Sequence, residues 1–161
     1  MDDAREVGAD RIVNDVAAIR KYGAPLIVID FGTATTFNAI NEKGEFIGGA
    51  VAPGMRGSLD SLVSGTAKLP RVEIETPKSV IGKNTTTNLQ AGLVFGFAGL
   101  VDYIVKKTKR EMKLPDIQVV ATGGFSGIIA KEVGCIDHVD KLLTLQGLKY
   151  LYDLNCSEGK K

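Results

Sequence analysis

Residue types that mark metal sites, disulfide frameworks and nucleic-acid binding are scarce in this sequence of 161 residues. Its two cysteines, Cys135 and Cys156, show no Cys-x-x-Cys spacing, which argues against a disulfide scaffold or a zinc site and suits a reducing cytoplasm. The single histidine, His138, has no partners at ligand spacing and is expected to be a surface residue. A formal net charge of +1 leaves no electrostatic bias toward nucleic acid or anionic lipid. We therefore expect no nucleic-acid partner.

Long apolar runs are also missing. The longest, residues 91–101, is too short to span a membrane and contains three glycines. The N-terminal residues 1–6 are acidic and carry no apolar segment, so they do not have the pattern of a signal peptide. What the chain does have is 44% hydrophobic and 24% charged residues, which is typical of a folded domain. We expect one cytoplasmic domain over residues 1–161, without a membrane partner.

Hydrophobic spacing predicts the element order α-βββ-α-α-β-α-α. The predicted helices cover residues 4–22, about 55–67, about 86–112, about 127–133 and about 143–154, and the strands cover 26–29, 35–40, 45–52 and 117–121. A further short strand is considered at residues 72–74. Three successive strands with short turns predict an antiparallel meander, and the later strand–helix alternation predicts a mixed α/β sheet with helices on its faces.

Two glycine-rich turns follow apolar strands. In Asp30–Thr36 (DFGTATT), Gly32 permits close backbone approach, and the threonines offer the hydroxyl and N–H donors that phosphate oxygens need. Asp30 suits a cation near that phosphate. The turn at Thr122–Ser126 (TGGFS) joins a strand to a helix, whose N-terminus favours negative charge. Strand preference of threonine and simple turn flexibility are the alternative explanations, but the two turns together favour a nucleotide site.

Two further stretches carry polar residues that chemistry could use. On a helix, Asp10 and Asn14 share a face with Arg11 beside them, so that the arginine could hold an anion while the carboxylate takes a hydroxyl proton. A helix-capping aspartate and a surface arginine are the commoner alternative. The stretch Gly82–Thr85 (GKNT) has the end of a Walker loop without its first glycine, so we reject a P-loop. Its threonines either cap the long helix or contact a ligand.

Four stretches in this order and spacing resemble type III pantothenate kinase: Gly8–Asn14 (GADRIVN), Asp30–Phe37 (DFGTATTF), Gly82–Gly92 (GKNTTTNLQAG) and Ala121–Gly124 (ATGG). The first two are specific, the third less so, and the fourth is shared more widely. The resemblance runs from Glu6 to about Asn155. It implies the actin-like, sugar-kinase type of fold, built from ribonuclease-H-like domains. It also implies phosphorylation of pantothenate by ATP, the first step toward coenzyme A.

The resemblance also implies roles on the substrate side. Gly8, Ala9, Asp10 and Arg11 would line the pantothenate pocket. Within that run Asp10 would be the general base, which typically contributes ~10²–10⁴-fold in rate. Arg11 would capture the pantothenate carboxylate. Thr85, which follows Gly-Lys-Asn, would contact the substrate.

On the nucleotide side, the resemblance implies ATP with Mg²⁺ and a monovalent cation, K⁺ or NH₄⁺. Asp30 would bind the monovalent cation, and Thr33 would contact ATP. Gly123 and Gly124 would lie near the adenosine. Phosphoryl transfer depends mainly on positioning and charge neutralisation, which is what residues of these types supply.

One departure from the family pattern concerns the phosphate loop. Full-length members begin with another domain that carries an Asp-x-Gly-Asn-Thr loop, and no such stretch occurs in these 161 residues. The chain is therefore expected to correspond to the C-terminal half of such a kinase and to be inactive or nearly so by itself. Family members are homodimers with active sites at the subunit interface. Gly92, Gly96 and Gly99 would allow the long helix to pack closely, either against a partner chain or against its own sheet.

Two other functions are considered. A non-catalytic dimerising or regulatory homologue is the first, because some relatives of the family are described as accessory factors for transcription. Retention of Asp10, Arg11, Asp30, Thr33 and Thr85 favours the enzyme. A sugar kinase of the same fold, acting on another substrate, is the weaker second alternative.

Overall fold

The computed structural model describes residues 8–66 and 68–158. The helices are α1 (Ala9–Tyr22), α2 (Met55–Ser64), α3 (Thr85–Met112), α4 (Ser126–Ile129) and α5 (Leu143–Glu158). The strands are β1 (Leu26–Phe31), β2 (Ala34–Ile40), β3 (Phe46–Pro53), β4 (Gln118–Gly123) and β5 (His138–Val139). The predicted start of the first helix at residues 4–7 lies outside the described residues.

The five strands form one mixed sheet in the order β3-β2-β1-β4-β5. β1, β2 and β3 pair antiparallel, as the meander prediction requires. β4 pairs parallel with β1, and β5 pairs parallel with β4. Because β1 lies at the centre of the sheet and is covered on both faces, nearly all of its residues are buried, which explains its almost continuous apolar sequence.

Helices cover both faces of the sheet. β1 presents Ile27, Ile29 and Phe31 to a core that includes residues of α2, α3 and α4. Its alternate residues Leu26 and Val28 face a second, smaller core with α1 and α5. The prediction of a mixed sheet with a meander and flanking helices is confirmed.

Helix α3 is the longest element, and its ends have clear local causes. Asn84 caps its N-terminus by accepting a hydrogen bond from the Thr87 N–H at 2.9 Å, in a reciprocal capping box. Lys113 ends it in the left-handed conformation. By length and composition alone, α3 is also apolar enough to cross a membrane. In this fold its buried residues are Ala91, Val94, Ala98, Val101 and Val105. The three valines belong to the larger core, together with residues of β1.

This buried stripe differs from the face that the spacing of apolar residues in the sequence predicts to point inward, which comprises Leu89, Leu93, Phe97, Leu100, Ile104 and Val105. Five of the predicted inward residues are only partly buried, at the margin of the core: Leu89, Leu93, Phe97, Leu100 and Ile104. Gly92, Gly96 and Gly99 are exposed, and a Cβ at any of them would meet nothing within 4 Å. They therefore do not serve close packing within the chain. Contact with a partner chain stays a prediction.

Three smaller expectations were wrong. Residues 72–74 form no strand, although Val72 and Ile74 are buried in the larger core. The helix expected at about 127–133 ends at Ile129. His138 is not a plain surface residue, because it lies in β5, half-buried, with its ring stacked on Tyr22 at 4.5 Å between centroids. The sequence did not predict β5, because a strand of two residues is too short to show an apolar periodicity.

Candidate active site

The two glycine-rich turns lie side by side at one edge of the sheet. β1 and β4 are parallel neighbours, and their register pairs Asp30 with Thr122 and Phe31 with Gly123. The hairpin tip Gly32–Thr33 and the turn Gly123–Gly124 therefore follow adjacent strand ends. We call this region, with Asp30, the carboxyl edge. In open α/β sheets the carboxyl ends of strands are where ligands commonly bind.

Gly123 is required for the close approach of these two strand ends. Its φ is +90°, a conformation that residues with a Cβ rarely adopt. A Cβ at Gly123 would lie 2.6 Å from the Phe31 carbonyl oxygen and 2.7 Å from Asp30 Oδ1. The absence of a side chain therefore leaves the Asp30 carboxylate accessible at the edge.

The hairpin tip is fixed by the start of α2. A Cβ at Gly54, the N-cap of that helix, would overlap the Thr33 carbonyl oxygen. The buried Thr35 donates a hydrogen bond through Oγ1 to the Pro53 carbonyl at 3.2 Å. Thr33 itself is exposed. The tip is thus a supported turn that leaves the Thr33 side chain available to a ligand.

Helix α1 brings Asp10 to the same edge. The connection from α1 to β1 is only residues 23–25, so the helix runs back along the sheet and its N-terminus lies near the end of β1. The buried Asn14, on the next turn of the helix, donates through Nδ2 to Asp30 Oδ2 at 3.0 Å. Asp10, Ala9 and Gly8 are exposed there.

The pKa of Asp30 reflects its burial and the charge of Asp10. Burial raises the pKa of Asp30, the Asn14 hydrogen bond opposes that rise, and the negative charge of Asp10 adds to it. A cation at this edge would relieve both the burial cost and the repulsion. The described residues contain no cluster of three or more His, Cys, Asp or Glu side chains that could hold a metal ion, so the remaining ligands would have to include backbone, hydroxyl or phosphate oxygens.

Asn14 is itself held in one orientation by α5. Thr144, in the first turn of α5, donates through Oγ1 to Asn14 Oδ1 at 2.7 Å. With its oxygen engaged by Thr144, the amide of Asn14 must turn its NH₂ group toward Asp30. The last helix of the chain thereby contributes to the geometry of the carboxyl edge.

Arg11 lies over the neighbouring strands β2 and β3. Its Nε donates to Asn38 Oδ1 at 2.8 Å, and its guanidinium carbon lies 5.3 Å from the centre of the Phe46 ring. At Gly49 a Cβ would overlap the Phe37 carbonyl oxygen and lie 3.1 Å from Arg11 Nη2. The glycine in β3 therefore leaves room for the guanidinium.

Behind Arg11 is a buried carboxylate that sequence reasoning missed. Asp15 Oδ1 accepts a hydrogen bond from Asn38 Nδ2 at 2.7 Å. Burial raises the pKa of Asp15 to about 6, against the opposing effects of the Asn38 hydrogen bond and the Arg11 charge. A signal was present in the sequence, because Asn38 is a polar residue inside the apolar strand β2.

Thr85 is the one predicted site residue that the described contacts do not connect to the others. It lies at the exposed first position of α3. Within the part of the chain that the structure describes, no hydrogen bond joins Thr85 to Asp10, Arg11 or Asp30. The structure therefore brings Gly8–Arg11, Asp30, Thr33 and Gly123–Gly124 to one region, and no described contact connects Thr85 to them.

The chain is similar in sequence to a known protein family. The type III pantothenate kinase family matches residues 1–107, which is more than half of the chain. A type III pantothenate kinase from Moorella thermoacetica is 56% identical over 151 residues. That match covers 94% of this chain and 59% of the relative, so the 161 residues span somewhat more than half of its length.

The fold is similar to that of a solved structure. A Baf family transcriptional activator from Campylobacter jejuni superimposes with a TM-score of 0.65 at 21% identity, over 96% of this chain and 67% of that one. The likeness shows that the two share a fold. Together with the observed sheet, it supports the expected fold class at the level of a mixed α/β sheet with flanking helices. The chain belongs to the type III pantothenate kinase family.

Proposed function

We propose that this chain supplies the acceptor site and the general base for the ATP-dependent phosphorylation of pantothenate to 4'-phosphopantothenate, the first step of coenzyme A biosynthesis. The observation that carries the proposal is the placement of the N-terminus of α1 at the carboxyl edge, where Asn14 binds Asp30 and the charge of Asp10 acts on it, with Arg11 next to Asp10 in the same helix. A residue that takes a proton and a residue that binds an acid are adjacent in the chain, beside two glycine-rich turns suited to phosphate.

Asp10 is the general base of the proposed reaction. It accepts the proton of the pantothenate hydroxyl as the oxygen of that hydroxyl attacks the γ-phosphorus of ATP. The bond between the γ-phosphorus and the bridging oxygen breaks, and ADP leaves with the electron pair. Gly8 supports this role, because a Cβ there would lie 2.6 Å from Asp10 Oδ1. Asp10 is also exposed, so a substrate can reach it.

Arg11 binds the carboxylate of pantothenate. Its Nε is engaged by Asn38, and among the described residues no hydrogen bond occupies the two terminal nitrogens, which can form paired hydrogen bonds with a carboxylate. Since Asp10 and Arg11 are sequence neighbours, the two ends of a small hydroxy acid can be held at once. Such positioning is a large part of catalysis for phosphoryl transfer.

The phosphates of ATP lie against the carboxyl edge in this proposal. Thr33 and the N–H groups of the hairpin tip donate to phosphate oxygens, and the Gly123–Gly124 turn lies beside the nucleoside. Asp30 is half-buried, and its carboxylate oxygens would bind the monovalent cation, K⁺ or NH₄⁺. Bound cations, including the Mg²⁺ that accompanies ATP, neutralise phosphate charge during the transfer.

The chain acts as part of a larger assembly in this proposal. The 161 residues contain no Asp-x-Gly-Asn-Thr phosphate loop, so we expect them to be inactive or nearly so alone. The exposed Thr85 would reach the acceptor pocket of a second copy, as in a homodimer with sites at the interface. Cytoplasmic location follows from the substrate class and is part of the same proposal.

Complementation tests the proposal. Radiolabelled ATP and pantothenate are incubated with this chain, with and without the N-terminal half of the Moorella thermoacetica relative. We expect phosphopantothenate only with both halves present. Asp10→Asn should lower kcat at least about 100-fold while the KM for pantothenate changes only slightly, because the base acts in the transition state.

The opposite result would favour a non-catalytic role. An assembled complex that binds neither ATP nor pantothenate would point to the regulatory or dimerising homologue. Phosphorylation of another hydroxy acid or sugar, without pantothenate turnover, would point to a related kinase of different specificity.

A further inference from the structure

Asp15 is a buried carboxylate that the proposed phosphoryl transfer does not use. Only 7% of its surface is exposed, although it lies in the middle of α1, one turn beyond Arg11. Its hydrogen bond from Asn38 is 2.7 Å long and is itself buried. Removing a charge from water in this way costs free energy, which an apolar residue at the same position would avoid. A role for the carboxylate would explain why it is present.

The two partners of Asn38 allow only one orientation of its amide. Asn38 Nδ2 donates to Asp15, and Asn38 Oδ1 accepts from Arg11 Nε at 2.8 Å. An ionised carboxylate only accepts hydrogen bonds, and a guanidinium only donates them. A reversed amide would place oxygen against the carboxylate and NH₂ against the guanidinium, so both bonds would be lost.

Arg11 is thereby fixed along one side only. Asn38 engages Nε, the Phe46 ring lies 5.3 Å from the guanidinium, and Gly49 gives the Nη2 nitrogen space. These contacts restrict rotation of the long side chain, and no hydrogen bond from residues 8–66 or 68–158 occupies its terminal nitrogens, so that a ligand could bind them. A pre-oriented planar fork loses less entropy when it binds a carboxylate.

We propose that Asp15 is a positioning residue that acts through Asn38 to hold the Arg11 guanidinium ready for the carboxylate of the acceptor substrate. The proposal rests on the proposed function for the identity of that substrate. Its geometric part, the chain of hydrogen bonds from Asp15 through Asn38 to Arg11, is independent of any substrate.

The geometric part is tested by NMR on the ¹⁵N-labelled 161-residue chain. The Arg11 Nε–H should exchange with water at least about tenfold more slowly than that of Arg110, which is exposed. Asp15→Leu removes the acceptor and should bring Arg11 to the exchange rate of Arg110. Asp15→Asn keeps an acceptor oxygen and should retain most of the protection. Tyr22→Phe, which loses a hydrogen bond to Asp140 at the other end of α1, is the control and should leave Arg11 unchanged.

The functional part is tested in the enzyme reconstituted with the N-terminal half. Asp15→Leu should raise the KM for pantothenate about tenfold, while kcat and the KM for ATP stay within about threefold. Asp15→Asn should recover most of the loss. Asn38→Ala, which breaks the chain at its middle, should give the same pattern if Asp15→Leu does not fold.

Two results would overturn the inference. One is an Arg11 exchange rate that stays protected in Asp15→Leu and Asn38→Ala. The other is an equal loss of kcat and of both substrate affinities, as general destabilisation would cause. If instead Arg11 responds as expected and no pantothenate is phosphorylated, the proposed substrate is wrong and the positioning role remains.

Discussion

At the residue scale, two asparagines decide what the charged groups of the site can do. Asn14 holds Asp30 at the carboxyl edge, and Asn38 holds Arg11 over β2 and β3. Each amide has a donor and an acceptor end, so each can connect groups of opposite hydrogen-bonding character. The charged residues were identifiable from the sequence. Their orientation depends on partners from distant parts of the chain, such as Thr144, and was not.

Asp15 should also make stability depend on pH. Its pKa is about 6 in the folded protein and near 3.8 when unfolded, so between these values the folded state binds more protons. Stability contributed by this group is therefore greatest below about pH 4 and is lost as the pH rises to about 6, by about 3 kcal/mol in all. The asparagine in Asp15→Asn cannot ionise, so this variant should not lose stability through this group between about pH 4 and pH 6.

Urea unfolding of both forms at pH 4, 5, 6 and 7 measures the effect. The stability of Asp15→Asn relative to the parent should rise with pH and level off above about pH 6. Subtracting the two curves removes other titrations, such as the raised pKa of Asp30 and the lowered pKa of Asp140. A difference that is constant over this pH range would show that Asp15 does not titrate as stated.

At the element scale, the site depends on the parallel pairing of β1 and β4. That pairing places the Gly32–Thr33 tip beside the Gly123–Gly124 turn, although some 90 residues separate them. Each turn alone was weak evidence for a ligand site. The two turns are adjacent, and α1 returns to the same edge. Asp10, Asp30 and both turns therefore lie in one region.

The two glycines of the second turn should respond differently to substitution. Gly123→Ala forces a side chain into a positive-φ position and against Phe31 and Asp30, so it should cost about 2 kcal/mol or more and weaken ATP binding. At Gly124 a Cβ would meet nothing within 4 Å, so Gly124→Ala is the matched control for stability and should leave unfolding without ATP nearly unchanged. Thermal unfolding with and without ATP compares them. Equal effects of the two substitutions would contradict the close packing at Gly123.

Helix α3 offers a second test at this scale. Gly96 lies within the helix, exposed and with open space around its Cβ position, so Gly96→Ala should stabilise the protein by about 1 kcal/mol. Denaturant unfolding at several protein concentrations measures it. Gly49→Ala is the contrasting control, since a Cβ there would overlap the Phe37 carbonyl. A loss of stability that appears only at concentrations where copies associate would instead locate Gly96 in a contact between chains.

At the scale of the whole molecule, the described residues form a layered α/β fold, and the candidate site lies at the carboxyl edge of its sheet. The chain corresponds to 59% of the length of its Moorella thermoacetica relative, and no described contact joins Thr85, at the start of α3, to the other candidate residues. Both facts agree with a site that needs additional residues from outside one copy of this chain. In that arrangement, one copy provides Asp10 and Arg11 and another provides Thr85.

Mixing two inactive forms tests this arrangement. In the reconstituted enzyme, Asp10→Asn and Thr85→Ala chains are each measured alone and after exchange of subunits. If Thr85 serves the neighbouring copy, half of the dimers are mixed and each contains one intact site, so activity should recover to about a quarter of the parent value. Recovery should depend on dimer exchange. Activity that stays at the average of the two separate forms would place Thr85 and Asp10 in the same copy.

The sequence by itself determined the elements and the chemical character of the site. Apolar periodicity and glycine or proline breaks are local signals, so the meander, the long capped helix and the family motifs were all readable without coordinates. The tertiary structure decided which residues meet: the contacts of Asn38 with Asp15 and Arg11, of Thr144 with Asn14, and of Gly123 with Asp30. It also showed Thr85 to lie at the exposed start of α3 and the glycines of α3 to be exposed. Such contacts join residues far apart in the chain, and they arise from strand register and helix packing, which local patterns do not encode.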